Sequence, residues 1–297
     1  MKRMKVKVFL ILFLFTGLLS CNHQQENDKP VITVSILPQK YFVEQITGDH
    51  FTINVMIPPG ASPVTYEPSP KQMKELTASD VYFRIGHIEF EKSWMDKLKN
   101  IHPDMEIIDL STNANLISPD KGHDLHAHND HHHHHGTDPH IWTSPKEVKK
   151  QVELIYRYFT NKYPEFETDF THRYHSFQKE IDSLDRYISS NLNPYQGNKF
   201  LIFHPALSYL ARDYGLEQIS IEIDGKEPTP SNMQEIIKIA KSENIKIIFI
   251  QKQFSTHNAE VIAREIDGSV VQIDPLSYNW NESIKEIIDK IIQSYAN

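Results

Sequence analysis

The sequence predicts an α/β protein built as two Rossmann-like lobes, each a parallel sheet with crossover helices, bridged by one long α-helix. Three observations carry that prediction. From residue 31 short apolar runs alternate with amphipathic stretches, the pattern of parallel strands joined by helices. A single apolar stripe at helical spacing then runs for about six turns, and beyond it the strand and helix alternation resumes with the same element order.

The amino terminus lies outside that pattern. Lys2, Arg3, Lys5 and Lys7 precede an almost wholly apolar stretch over 8–19, the charged and hydrophobic regions of a secretory signal spanning 1–20. Twelve residues are too few to span a bilayer, which takes about 20. The stretch ends Leu18-Leu19-Ser20-Cys21, and Cys21 is the chain's one cysteine. A unique cysteine after an apolar run and a small residue resembles a bacterial lipoprotein signal, with cleavage before Cys21 and lipid attached there. Residues 21–30 then form a polar tether. Loss of residues 1–20 removes four positive charges and takes the net charge from −8 to −12. An acidic body disfavours phosphate backbones, so no nucleic-acid partner is expected. A lone cysteine excludes both an internal disulfide and a multi-cysteine zinc site.

Residues 31–162 form the expected N-terminal lobe. Its strands are expected at 31–37, 51–58, 81–86 and 105–110, with helices at 40–47, 71–76 and 92–98. After residue 110 the periodicity fails, and 111–137 reads as a loop of the length usually reserved for function or disorder. Within it, over 121–136, lie His123, His126, His128, His131, His132, His133, His134 and His135, eight of the chain's 17 histidines. An expression tag would sit at a terminus, so a metal-collecting segment is the better reading, imidazole being a common ligand for zinc and its neighbours. From residue 146 a helix is expected, with Val148, Val152, Ile155 and Phe159 on one face.

The bridging helix is placed over 163–193, near whose start Pro164 sits. Phe166, Phe170, Tyr174, Phe177, Ile181, Leu184 and Ile188 form its stripe, read as core packing. The C-terminal lobe, 194–297, carries expected strands at 199–203, 218–223, 245–250 and 270–273, and helices at 206–214, 232–241, 259–266 and 283–295.

Ligands of open parallel sheets sit beyond the carboxyl ends of the strands. The strand over 199–203 runs into His204-Pro205, that over 270–273 into Asp274-Pro275, and that over 81–86 into His87, while His140 lies in Asp138-Pro139-His140-Ile141-Trp142 just before a helix. One such histidine is commonly structural, but several converging beside a histidine-rich loop point to metal. Asp138 reads either as a hydrogen-bond partner for a liganding imidazole or as a helix cap.

At this point the chain resembles the solute-binding proteins of bacterial ABC transporters for zinc and manganese, the cluster A-I family, in its zinc-uptake branch. The resemblance is carried by Pro59-Gly60-Ala61-Ser62-Pro63-Val64-Thr65-Tyr66-Glu67-Pro68-Ser69-Pro70, by Asp138-Pro139-His140-Ile141-Trp142, by Phe203-His204-Pro205-Ala206 with Tyr209 to Leu216, and by Ile273-Asp274-Pro275-Leu276. It implies a metal site between the lobes, with His140 from the first lobe and His204 and Asp274 from the second as ligands. The family usually has a histidine where this chain has Val64. His87 and Glu67 are the residues that could replace it, His87 slightly favoured, with water as the third option.

The resemblance implies a non-enzymatic protein that captures Zn²⁺, ahead of Mn²⁺, and hands it to an ABC permease in the membrane. Two histidines with one carboxylate suit zinc, whereas manganese would call for more oxygen ligands. The implied protein is a monomer held outside the cytoplasm, on the periplasmic or cell-surface face, through lipid on Cys21. A secreted zinc hydrolase is the competing enzymatic reading, weakened by the absence of a His-Glu-x-x-His motif. A surface adhesin lipoprotein is the third.

Overall fold

The computed structural model of the chain describes residues 29–118, 136–222 and 226–296. The expected signal sequence, Cys21 and the loop histidines from His123 to His135 lie outside the described residues.

The first lobe contains β1 (Val31–Val34), α1 (Leu37–Thr47), β2 (Thr52–Val55), α2 (Pro70–Leu76), β3 (Ser79–Arg84), α3 (Glu89–Ile101) and β4 (Glu106–Asp109). Its sheet has the order β2-β1-β3-β4, with every pairing parallel. β1 is shorter than the expected 31–37 because Leu37-Pro38 opens α1, where a proline in the first turn loses no needed hydrogen bond. α2 gains Pro70 because the Ser69 hydroxyl accepts the Gln72 N–H and caps the turn. α3 begins at Glu89, ahead of the expected 92, with Glu89 and Glu91 in its first turn, where acidic side chains complement the helix dipole.

After α4 (Pro145–Lys162), residues Pro164–Phe166 form a 3-10 turn, so the bridging helix α5 starts at Glu167 and runs to Leu192. Its 26 residues span about 39 Å at 1.5 Å per residue. The second lobe repeats the first. β5 (Lys199–Ile202), α6 (Ser208–Tyr214), β6 (Glu217–Ser220), α7 (Pro230–Ser242), β7 (Ile247–Gln251), α8 (His257–Glu265), β8 (Ser269–Ile273) and α9 (Trp280–Ala296) give a parallel sheet ordered β6-β5-β7-β8.

The two lobes share a core. Phe170 of α5 meets Phe159 of α4 at 5.9 Å, while Phe177 meets both Phe42 of α1 at 6.1 Å and Trp280 of α9 at 6.4 Å. Phe200, Ile202 and Phe249 of the second sheet belong to this same cluster, whereas Leu201, Ile219, Ile248 and Ile250 on its other face pack with Ile236 of α7 and Ile262 of α8. α5 therefore acts as one wall for both lobes. Each fully buried side chain of this size contributes about 1.5–3 kcal/mol.

In each sheet the chain leaves the second strand of the order in one direction and returns on its other side. That places topological switch points between β1 and β3 and between β5 and β7, where the strand ends open a crevice. His87 follows β3 and His204 follows β5, so both sequence-predicted histidines stand at switch points.

Candidate metal centre

His140 is held by its own segment. The Asp138 carboxylate accepts both the His140 backbone N–H at 2.9 Å and the ring Nδ1 at 2.8 Å. The His140 carbonyl accepts from Thr143, through N–H at 3.1 Å and hydroxyl at 2.9 Å, which starts the 3-10 turn Ile141–Thr143. Trp142 then locks this turn to the other lobe: its Nε1 donates to the Pro275 carbonyl at 2.9 Å, and Trp280 Nε1 donates to the Trp142 carbonyl at 2.7 Å. Asp138 thus supports the imidazole directly, beyond any capping role.

His204 is built the same way from the second lobe. Its Nδ1 bonds the Glu222 carboxylate at 2.7 Å, its carbonyl accepts from Gln251 Nε2 at 2.8 Å, and its ring stacks on Phe254 at 5.0 Å. Glu222 is 6% exposed. β6 stops at Ser220, short of the expected 223, yet Ile221 and Glu222 still donate their N–H groups to Ile202 and Phe203 carbonyls at 2.9 Å, which aligns Glu222 with His204.

Both Nδ1 atoms face carboxylates, which accept when ionised, so in its neutral tautomer each ring donates from Nδ1 and leaves a lone pair on Nε2. Those two Nε2 atoms stand 3.2 Å apart. Two nitrogens at 2.0–2.1 Å from one tetrahedral zinc are separated by about 3.3 Å. Two lone pairs facing across that gap repel unless a cation lies between them. Burial lowers the His204 pKa, opposed by its bond to Glu222 and reinforced by the neighbouring His140, so the ring is available in neutral form. Burial pushes the Asp138 carboxyl up, but the charge and hydrogen bonds of His140 outweigh it and the net shift is downward.

The remaining sequence-predicted residues are not gathered with this pair. Among the described residues, no group of three or more histidine, cysteine, aspartate or glutamate side chains forms a complete metal cage. Asp274 follows β8 and lines an inter-lobe cavity of about 260 Å³ with Ile36, Pro58, Gly60 and Tyr278, but its carboxylate is taken by Lys252 Nζ at 2.9 Å. His87 Nε2 lies 3.5 Å from the Ser111 hydroxyl, which donates to Asp109 at 2.6 Å. The turn before His87 needs Gly86, whose φ of +115° and 2.5 Å approach of Ser111 to a notional Cβ exclude other residues. Glu67 is exposed in the loop between Tyr66, whose hydroxyl donates to Gln72 at 2.6 Å, and Pro68; Val64, in the same loop, is 39% exposed.

Glu222 escaped the sequence reading. It lay inside the strand expected over 218–223, and only the earlier end of β6 at Ser220 and its pairing with β5 bring it to His204.

Comparison with known proteins identifies the fold and the family. A crystal structure of ZnuA superposes with a TM-score of 0.82 at 35% identity, covering 90% of this chain and 99% of that one. The zinc-binding lipoprotein AdcA of Streptococcus pneumoniae R6 is 26% identical over 289 residues, 95% of this chain, which spans 57% of that longer protein. The high-affinity zinc uptake system protein ZnuA of Bacillus subtilis is 24% identical, over 84% of this chain and 80% of its own. The family model described as zinc-uptake complex component A, periplasmic, matches residues 32–294, nearly the whole described protein, and on that match the chain belongs to the ZnuA family.

Proposed function

We propose that this protein is the extracytoplasmic capture component of a zinc ABC transporter. It binds Zn²⁺ between its lobes and delivers it to a membrane permease. The observation that carries this reading is the 3.2 Å approach of the His140 and His204 Nε2 atoms, each imidazole backed by a carboxylate. In this reading His140 and His204 are two ligands, and Asp274 becomes the third by exchanging Lys252 for the metal. The fourth position, left open by Val64, falls to His87, to Glu67 or to water. Two imidazoles and one carboxylate favour zinc over manganese.

A unique cysteine after the apolar stretch supports lipid attachment at Cys21, in keeping with the lipoprotein name of AdcA. The histidines from His123 to His135 act as a weak collector beside the tight site. Competitive zinc titration of the mature protein tests the core of the proposal. Substituting His140 and His204 together by alanine removes the tight site; unchanged affinity in that variant rules the reading out.

A further inference from the structure

The segment from His204 to Tyr209 does more than supply one imidazole. Tyr209 is fully buried, and its hydroxyl donates to the Asp138 carbonyl at 2.7 Å while accepting the Ile117 N–H at 3.1 Å. Asp138 N–H in turn donates to the Ile117 carbonyl at 3.0 Å, which closes a three-membered clip. Ser208, the residue before Tyr209, accepts from Gln218 Nε2 at 2.8 Å and donates to the Pro205 carbonyl at 3.3 Å, which ties the turn to the His204-Pro205 segment. One turn of the second lobe therefore grips the main chain of Asp138, and the Asp138 carboxylate holds His140.

We propose that Tyr209 is a positioning residue for the metal centre, its hydroxyl setting the place of Asp138, and through it His140, relative to His204. This rests on reading His140 and His204 as zinc ligands. Four residues separate His204 from Tyr209, so a single short segment defines both sides of the gap between the two Nε2 atoms. Burial raises the Tyr209 phenol above its ordinary value, so the hydroxyl keeps its proton and remains a donor. Arg212, one turn on, stacks over the Tyr209 ring at 4.9 Å and bonds the buried Glu147 at 2.7 Å, fixing the ring laterally. Replacing the hydroxyl by hydrogen leaves this packing in place but releases the Asp138 carbonyl and the Ile117 N–H.

The test uses the mature full-length protein with Tyr209→Phe, alone and combined with His140→Ala. Zinc affinity is measured by chelator competition, and ligand geometry by the visible spectrum of the Co²⁺ form. Tyr209→Phe is expected to weaken zinc binding about tenfold, the range seen when partners of liganding imidazoles are removed, and to alter the Co²⁺ bands. In a His140→Ala background the same change should have no further effect on residual zinc binding. Wild-type affinity and Co²⁺ spectrum in Tyr209→Phe, even with a lowered melting temperature, would overturn the proposal, as would an undiminished Tyr209→Phe effect without His140. If His140→Ala alone leaves zinc affinity unchanged, the ligand reading itself fails and this one with it. If His140→Ala abolishes tight binding while Tyr209→Phe is silent, only the positioning role falls.

Discussion

The Lys252 ammonium holds the Asp274 carboxylate at 2.9 Å on the rim of the inter-lobe cavity. The register of β7 on β8 pairs Gln251 with Ile273, so these two residues follow as the next neighbours across the strand ends. If Asp274 is to meet a metal ion, that ion must displace an internal cation first.

Lys252→Met should therefore tighten zinc binding. The lysine side chain is half exposed, and such pairs are worth up to about 1 kcal/mol, which sets the gain at no more than about fivefold. Chelator competition at fixed ionic strength measures it. An unchanged or weaker affinity would show that Asp274 does not act as a ligand released by the lysine.

Glu222→Ala should weaken zinc binding by about 10–100-fold, because the Nδ1 proton of His204 loses the acceptor that fixes its tautomer. Far-UV circular dichroism should stay that of the wild type, since Ile221 and Glu222 hold their place through backbone bonds to β5. Full affinity in this variant would mean that His204 is oriented by Phe254 and Gln251 alone.

Glu91 supplies a pH signature in the first lobe. Its carboxyl accepts the Ile85 and Gly86 N–H groups at 2.7 Å and bonds the Ser35 hydroxyl, yet it is 1% exposed, and burial outweighs these bonds and raises its pKa to about 7. A carboxyl whose folded pKa exceeds its unfolded value near 4.5 stabilises the fold below that value and loses the contribution as pH rises toward about 7. The shift corresponds to about 3 kcal/mol. Relative to Glu91→Gln, which does not titrate, the wild type should lose stability from pH 5 to pH 8. Parallel stability curves for the two proteins across that range would refute a shifted Glu91.

Deleting residues 121–136 should reduce the number of bound zinc ions while sparing the tightest one. Isothermal titration of the shortened and mature proteins gives both quantities. Loss of the tightest site on deletion would place part of that site among the removed histidines.

Much of the fold could be read from residues alone, because parallel strands buried on both faces leave short apolar runs and α5 leaves a stripe from Phe170 to Ile188. Its start could not be placed, since Pro164 suits a 3-10 turn as well as a first helical turn. His140 and His204 stood out because each sits where an element ends. Glu222 and Lys252 did not, for a common reason: both act across strand ends. Their partners follow from the registers Ile202 with Ser220 and Gln251 with Ile273. Register depends on which strands adjoin, which composition and periodicity do not specify. The same limit applies to His87 and Glu67, chosen by position along the chain but placed by loops whose course depends on Gly86, Ser111 and Gln72.

The bond from the Asp138 N–H to the Ile117 carbonyl, with the Tyr209 hydroxyl bridging the same two residues, has a consequence for how such a protein can change over generations. Residues 117 and 138 are held side by side, so the number of residues between them sets an entropic cost of chain closure. Doubling the length of such a loop costs about 0.6 kcal/mol. On that closure term alone, a change in the number of residues between 117 and 138 is cheap, while the His140 and His204 imidazoles are held by bonds that do not involve that number.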